Sequence, residues 1–262
     1  VNGSGEDGGP RLAVVCGSGL AVMPEGFRVV RRRTYQALGW PCTNVGGHAN
    51  ELLHGEVADG LAVLLAFGRP HLYEGWTLAE MERPLVQMAS WGVRKVLFTY
   101  AVGGLQPDLG LGALVLLETV VDLQARAEGE PSRLRAASSP EVLAEAAVAL
   151  RGVGSVRCGK YVAVVGPQYE SPTEARWLRG FGDVVGMSGA FEARTADRLG
   201  MEYVALAAVV NRAAAADSHD AVLLAAGELR ESLGRGVSRL VRMLAWRADH
   251  DGPDGSTVDG HR

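Results

Sequence analysis

Short apolar, β-rich runs alternate along this chain with segments that carry helix-start chemistry, and this alternation narrows the fold more than any other feature. Leu12–Cys16, Leu61–Phe67, Lys95–Thr99, Ala113–Glu118, Tyr161–Val165, Asp183–Met187 and Tyr203–Val210 read as strands. Several are apolar at consecutive positions, as strands covered on both faces should be. Between them, Thr77 and Glu80 form a capping box that opens a helix ending near Trp91 and Gly92. Ser171, Pro172 and Glu174 combine an N-cap, a proline in the first turn and a reciprocal carboxylate, with Gly180 as the stop. Ser139 and Pro140 open a helix to about Arg151. Asp217 or Ser218 caps one long C-terminal helix with Val222, Ala226, Leu229, Leu233, Val237 and Leu240 on a single stripe. The sum is a single α/β domain around a largely buried sheet.

The chain has 262 residues, 47% of them hydrophobic, enough to bury a substantial core. The folded body is expected over 11–247, between polar, glycine-rich tails at 1–10 and 248–262 that cannot offset the entropy of ordering. Thirty acidic against 26 basic residues leave a net charge of −4, which gives no general attraction to nucleic acid or to an anionic membrane. Any anion bound here is small and locally handled. No apolar run approaches the ~18 residues of a membrane span, and the N-terminus lacks a charged-then-apolar pattern. Cys16, Cys42 and Cys158 form neither a disulfide framework nor a zinc knuckle. A soluble, cytoplasmic protein without a metal is therefore expected.

In α/β folds ligands gather at the carboxyl ends of strands. The first strand runs into Gly17, Ser18 and Gly19, which reads as a phosphate loop or as a plain tight turn, since neither the dinucleotide nor the P-loop fingerprint is complete. The second exits through Arg69, His71 and Tyr73, alternate positions of an extended segment, so that a guanidinium and an imidazole can converge on one anion. The competing reading is a surface loop whose arginine pairs with a carboxylate. Thr99–Leu105 offers small residues and exposed backbone amides after a strand, which reads either as a place where a ligand lies against the main chain or as a bland turn. Tyr169 can stack on a flat heterocycle and Glu170 can accept from ring N–H groups, or the glutamate merely complements a helix dipole. Ser188 precedes a helix N-terminus, where a hydroxyl suits an anion. Asn211 closes the last strand, and His219 sits in the first turn of the last helix.

The order of these exits carries more than any one of them. GSGL at 17–20, GGHANELLHGEV at 46–57, GRPHLYEG at 68–75, AVGGLQPDLGLGALVLL at 101–117, GPQYESPTEARWLRGFGDVVGMS at 166–188, VVN at 209–211 and HDAVLLAAG at 219–227 stand in sequence. Over about 11–244 the chain resembles the purine nucleoside phosphorylases of the low-molecular-mass, homotrimeric class. The resemblance implies a central, mixed β-sheet flanked by helices, and phosphorolysis of 6-oxopurine (deoxy)ribonucleosides to free base and sugar 1-phosphate. It implies no cofactor or metal, with inorganic phosphate as co-substrate. It assigns Ser18, His48, Arg69, His71, the Ala101 backbone and Ser188 to phosphate, Tyr73, Met187 and His219 to the sugar, and Tyr169, Glu170 and Asn211 to the purine. Asn211, His71 and Glu170 are the residues it implies for catalysis.

Departures from the family pattern point to the sugar's 5′ end. The stretch 122–159 is shorter than the family's gate region, and Ala101–Lys160 contains no Phe, Tyr or Trp. Tyr100 and Val102 replace the usual Asn and Ala, Tyr169 a usual Phe, and Gly189–Phe191 the usual Thr-Val-Pro. The alternatives are a specialised phosphorylase for a 5′-modified or 5′-deoxy adenosine-type nucleoside, or a non-catalytic nucleoside-binding paralogue.

Overall fold

The computed structural model describes residues 9–124, 134–136, 138–214 and 219–250. In chain order the elements are β1 (Leu12–Cys16), β2 (Arg28–Thr34), α1 (Tyr35–Leu38), β3 (Glu51–Glu56), β4 (Ala62–Phe67), α2 (Leu78–Ser90), β5 (Lys95–Gly104), β6 (Leu114–Asp122) and β7 (Leu134–Ala136). There follow α3 (Pro140–Ala149), β8 (Val156–Ala163), α4 (Pro172–Leu178), β9 (Val184–Gly186), α5 (Ala190–Arg198), β10 (Glu202–Arg212), α6 (His219–Glu228) and α7 (Arg230–His250). The strands form one mixed sheet flanked by helices.

Alternate residues of each central strand feed two apolar cores, which is why the runs are apolar without interruption. Leu12, Val14 and Leu97 pack with Val142 of α3 and Leu233, Val237 and Leu240 of α7. Ala13, Val15, Phe98 and Tyr100 face the opposite way, with Leu85 and Met88 of α2 and Ala193 of α5. Each such leucine contributes about 2 kcal/mol by burial.

Strand β5 is where the sheet branches. One of its edges pairs with β10 along the whole strand, from Glu202 opposite Lys95 to Arg212 opposite Gly104. Its other edge pairs with β1 over Lys95–Phe98 and with β9 at Gly103 and Gly104. The main chain of Thr99–Val102 lies between those two partners. Beyond the fork, β5, β10, β6, β8 and β9 close into a ring.

Several boundaries differ from the sequence expectation. β5 continues through Ala101–Gly104, a stretch that reads as a turn because its residues are small; full pairing with β10 overrides that. β8 ends at Ala163, ahead of Gly166 and Pro167. β2 and β3 lack an apolar run: β2 is Arg-rich and exposed, held to β3 by Arg28–Glu56 at 2.5 Å and Arg32–Glu51 at 2.8 Å. Charged residues on an edge strand discourage edge-to-edge pairing, and they also hide the strand. The expected single C-terminal helix is two, broken at Leu229 just after Gly227, a poor helix former. The body also extends past 247, since α7 runs to His250 and Ala248 is buried. The Asp217 or Ser218 cap, the tails at 1–8 and 251–262, and much of the shortened gate (125–133 and 137) lie outside the described residues. Among the described residues, no helix is long and apolar enough to cross a membrane and no group of side chains could hold a metal ion.

Candidate active site

The loops and strand ends after β1, β4, β5, β8 and β9, with the end of β10, open on one cavity of about 330 Å³. Ser18, Arg69, His71, Tyr73, Ala101, Tyr169, Glu170, Met187, Ser188 and Asn211 all line it. His48 stands behind its rim, with Nε2 2.7 Å from Ser18 Oγ. His219 opens α6, but its side chain lies outside the described residues.

One end of the cavity is built for an anion. Gly17 packs so close to β5 that an added Cβ would sit 2.8 Å from the Thr99 carbonyl oxygen and 3.2 Å from both Ala101 N and Arg69 Nη1, so only glycine brings the Ser18 turn this near. The Gly17 amide donates to Thr99 Oγ1 at 3.2 Å. Arg69 is buried rather than on a surface loop; it lines the cavity and pairs with a carboxylate. Its Nε donates to Glu192 Oε1 at 2.7 Å, Nη1 to Thr99 O at 2.9 Å and Nη2 to Val15 O at 3.4 Å. Burial alone would lower the Arg69 pKa; the Glu192 charge reverses this and holds it above the ordinary value.

His71 and Tyr73 do not share an extended face as their spacing suggests. Leu72–Glu74 form a 3₁₀ turn that brings the Tyr73 ring parallel to the imidazole, with centroids 4.9 Å apart. Glu74 fixes this turn: Oε2 accepts from the His71 amide at 2.8 Å and lies 3.1 Å from Nδ1, while Oε1 accepts from Thr43 Oγ1 and the Asn44 amide. Burial opposes the charge of Glu74, but those hydrogen bonds prevail and hold its pKa at about 2.

The opposite end suits a polar heterocycle. Asn211 is buried, with Nδ2 donating to Arg212 O at 3.3 Å, and Gly103 keeps the space beside its Oδ1 open. Glu170 Oε2 is buried with no hydrogen-bond partner among the described residues, and burial, followed by the Glu174 charge, raises the Glu170 pKa. At Gly166 a Cβ would fall 2.4 Å from Met187 Sδ and 3.0 Å from Tyr73 Cδ1, so this glycine lets both side chains reach the cavity.

Sequence reasoning missed Glu74 and Glu192. Glu74 carries a local signal, three residues after His71. Glu192 reads only as an acidic residue in a helix first turn, and nothing in the sequence joins it to Arg69.

The cavity at these strand exits gathers Ser18, Arg69, His71, Ser188, Glu170 and Asn211. The sequence profile of the phosphorylase superfamily matches residues 11–242, and the chain belongs to that superfamily. Its relatives there include purine nucleoside phosphorylases. The protein of that name from Mycobacterium leprae is 34% identical over 78% of this chain and 76% of its own length. Purine nucleoside phosphorylase 1 of Geobacillus stearothermophilus is 28% identical over 90% of this chain and 92% of its own. Among solved structures, a Schistosoma purine nucleoside phosphorylase in complex with hypoxanthine aligns with a TM-score of 0.77 at 28% identity, covering 90% of this chain and 91% of that one. The Schistosoma mansoni enzyme in complex with adenosine aligns with a TM-score of 0.78 at 27% identity, with the same coverage.

Proposed function

We propose that this chain cleaves the N-glycosidic bond of guanosine- and inosine-type (deoxy)ribonucleosides with inorganic phosphate, releasing free base and sugar 1-phosphate without a metal or cofactor. The observation that carries this reading is the polarity of one cavity. The donors Arg69, His71, Ser18, Ser188 and the Ala101 main chain line the same cavity as the polar side chains of Glu170 and Asn211. Tyr73 and Met187 line the cavity as well and are assigned to the sugar.

The chemistry follows from where charge develops. As the bond from the anomeric carbon to N9 lengthens, the sugar becomes cationic and the purine anionic. A phosphate held by the cradle stabilises the first and then attacks the anomeric carbon; the Asn211 amide donates to N7 and stabilises the second. Glu170 accepts from N1–H and the 2-amino group, which favours guanine and hypoxanthine over adenine. His48 and His219 are assigned to the phosphate edge and to the sugar.

The same reading includes a cytosolic homotrimer that binds neither nucleic acid nor membrane. The exposed Trp177–Phe181 pair, with ring centroids 4.7 Å apart, supports assembly of copies. The experiment is a base-release panel of inosine, guanosine, adenosine and 5′-deoxyadenosine, each with and without phosphate, alongside light scattering for mass. Phosphate-dependent release from inosine and guanosine is expected. Release from the adenosines alone would overturn the substrate class.

A further inference from the structure

We infer that Tyr100 is a positioning residue for the phosphate co-substrate: its ring, together with Glu192, locks the Arg69 guanidinium so that the N–H groups left over face the anion end of the cavity. The inference rests on the phosphorolytic reading above. A guanidinium has five N–H donors. Three of them are engaged in its own plane, by Glu192 Oε1, Thr99 O and Val15 O. The Tyr100 ring covers one face, with its centroid 4.6 Å from Cζ. In-plane acceptors stop the group from rotating and the ring stops it from tilting. Two donors remain, both on the Nη atoms.

Tyr100 can hold a cation still only because it is itself fixed. Its ring stacks on Tyr161 at 5.3 Å and on Phe98 at 6.2 Å. On the remaining side it rests on bare glycine: a Cβ at Gly189 would lie 3.1 Å from Tyr100 Cζ and 3.2 Å from Tyr161 Cε1. Tyr161 in turn grips the Ser188 main chain, its hydroxyl donating to Ser188 O at 2.5 Å and accepting from Ser188 N at 3.2 Å. One aromatic stack therefore sets two walls of the anion end, Arg69 through Tyr100 and Ser188 through Tyr161.

The test is steady-state base release from inosine, with phosphate and nucleoside varied separately, plus the shift in melting temperature caused by inorganic phosphate. It compares the wild type with Tyr100→Leu, Tyr100→Phe and Glu192→Gln. Tyr100→Leu and Glu192→Gln are expected to raise the phosphate KM by about tenfold or more. The inosine KM should move by less than roughly twofold, and Tyr100→Phe, which keeps the ring, should restore the phosphate KM to within roughly threefold of wild type. A folded Tyr100→Leu protein with the wild-type phosphate KM, or with both KM values raised alike, overturns the inference. If Tyr100→Leu does not fold, an unchanged phosphate KM in Glu192→Gln overturns it equally. If the wild type releases no base, the functional reading fails, and the melting shift still decides: a phosphate shift lost in Tyr100→Leu sustains the clamp, and a shift equal in all the proteins, or absent from all, overturns it.

Discussion

Glu74 holds His71 from two sides, with Oε2 2.8 Å from the imidazole-bearing residue's own amide and 3.1 Å from its Nδ1. Backbone and ring are thus pinned by a single carboxylate, and Nε2 is left for the cavity. Because folding depresses the Glu74 pKa from 4.5 to about 2, its contribution to stability is fully present above pH 4.5 and is lost as the pH falls toward 2. Acid unfolding followed by circular dichroism should show that loss, on the order of 1–2 kcal/mol. Glu74→Gln should flatten it; an unchanged acid limb would remove Glu74 from the account.

Glu170 shifts the other way. Burial raises its pKa, so the acceptor form is lost at a higher pH than for an ordinary carboxylate. On the acid side, kcat/KM for guanosine should fall before that of a substrate lacking N1–H and N2–H. Glu170→Gln should abolish this acid limb and lower kcat/KM for guanosine by roughly 10- to 100-fold. Identical pH profiles for the two proteins would count against its place at the base edge.

On the proposed reading, Asn211 is the residue through which the 6-substituent is read. Asn211→Asp replaces the amide donor by an acceptor that suits a 6-amino group. The ratio of kcat/KM for adenosine over inosine should rise by on the order of 100-fold. Unaltered selectivity would mean that the carboxamide does not meet the purine.

Arg69 and Glu192 bury opposite charges against each other at 2.7 Å. Arg69→Met alone strands the carboxylate and should cost about 3–5 kcal/mol, besides raising the phosphate KM. Adding Glu192→Gln to that variant should recover most of the stability but none of the phosphate affinity. Thermal melts of the two proteins, read beside their kinetics, separate folding from function.

What the sequence made legible follows from where the physics is local. The strands β1 and β4 announce themselves by burial on both faces, and the helices α2 and α4 by capping boxes that the structure shows closing on Thr77 and Ser171. The blocks around Ser18, Arg69, Glu170 and Ser188 stand out because a strand exit must change chemistry abruptly. Arg28–Thr34 was hidden, because an exposed edge strand needs no apolar face. Glu192 was hidden for a different reason: it meets Arg69 across 123 residues, and only the packing of α5 against the sheet joins them. Thr99–Gly104 misled as a turn since its small side chains reflect neighbours on β9 and β10 that the local sequence does not contain.

The fork in β5 puts part of the anion site out of reach of side-chain change. Between β1 and β9 the floor of the cavity is peptide, and every amino acid except proline supplies the same amide at position 101. The side chain at 102 can therefore change while the floor persists, whereas the ring at 100 is tied to Arg69. On the proposed reading, a loss of phosphate use would be recorded at Arg69, Ser18, Gly17 or Tyr100, and a library aimed at new nucleophiles has more to gain from those positions than from the amide at 101.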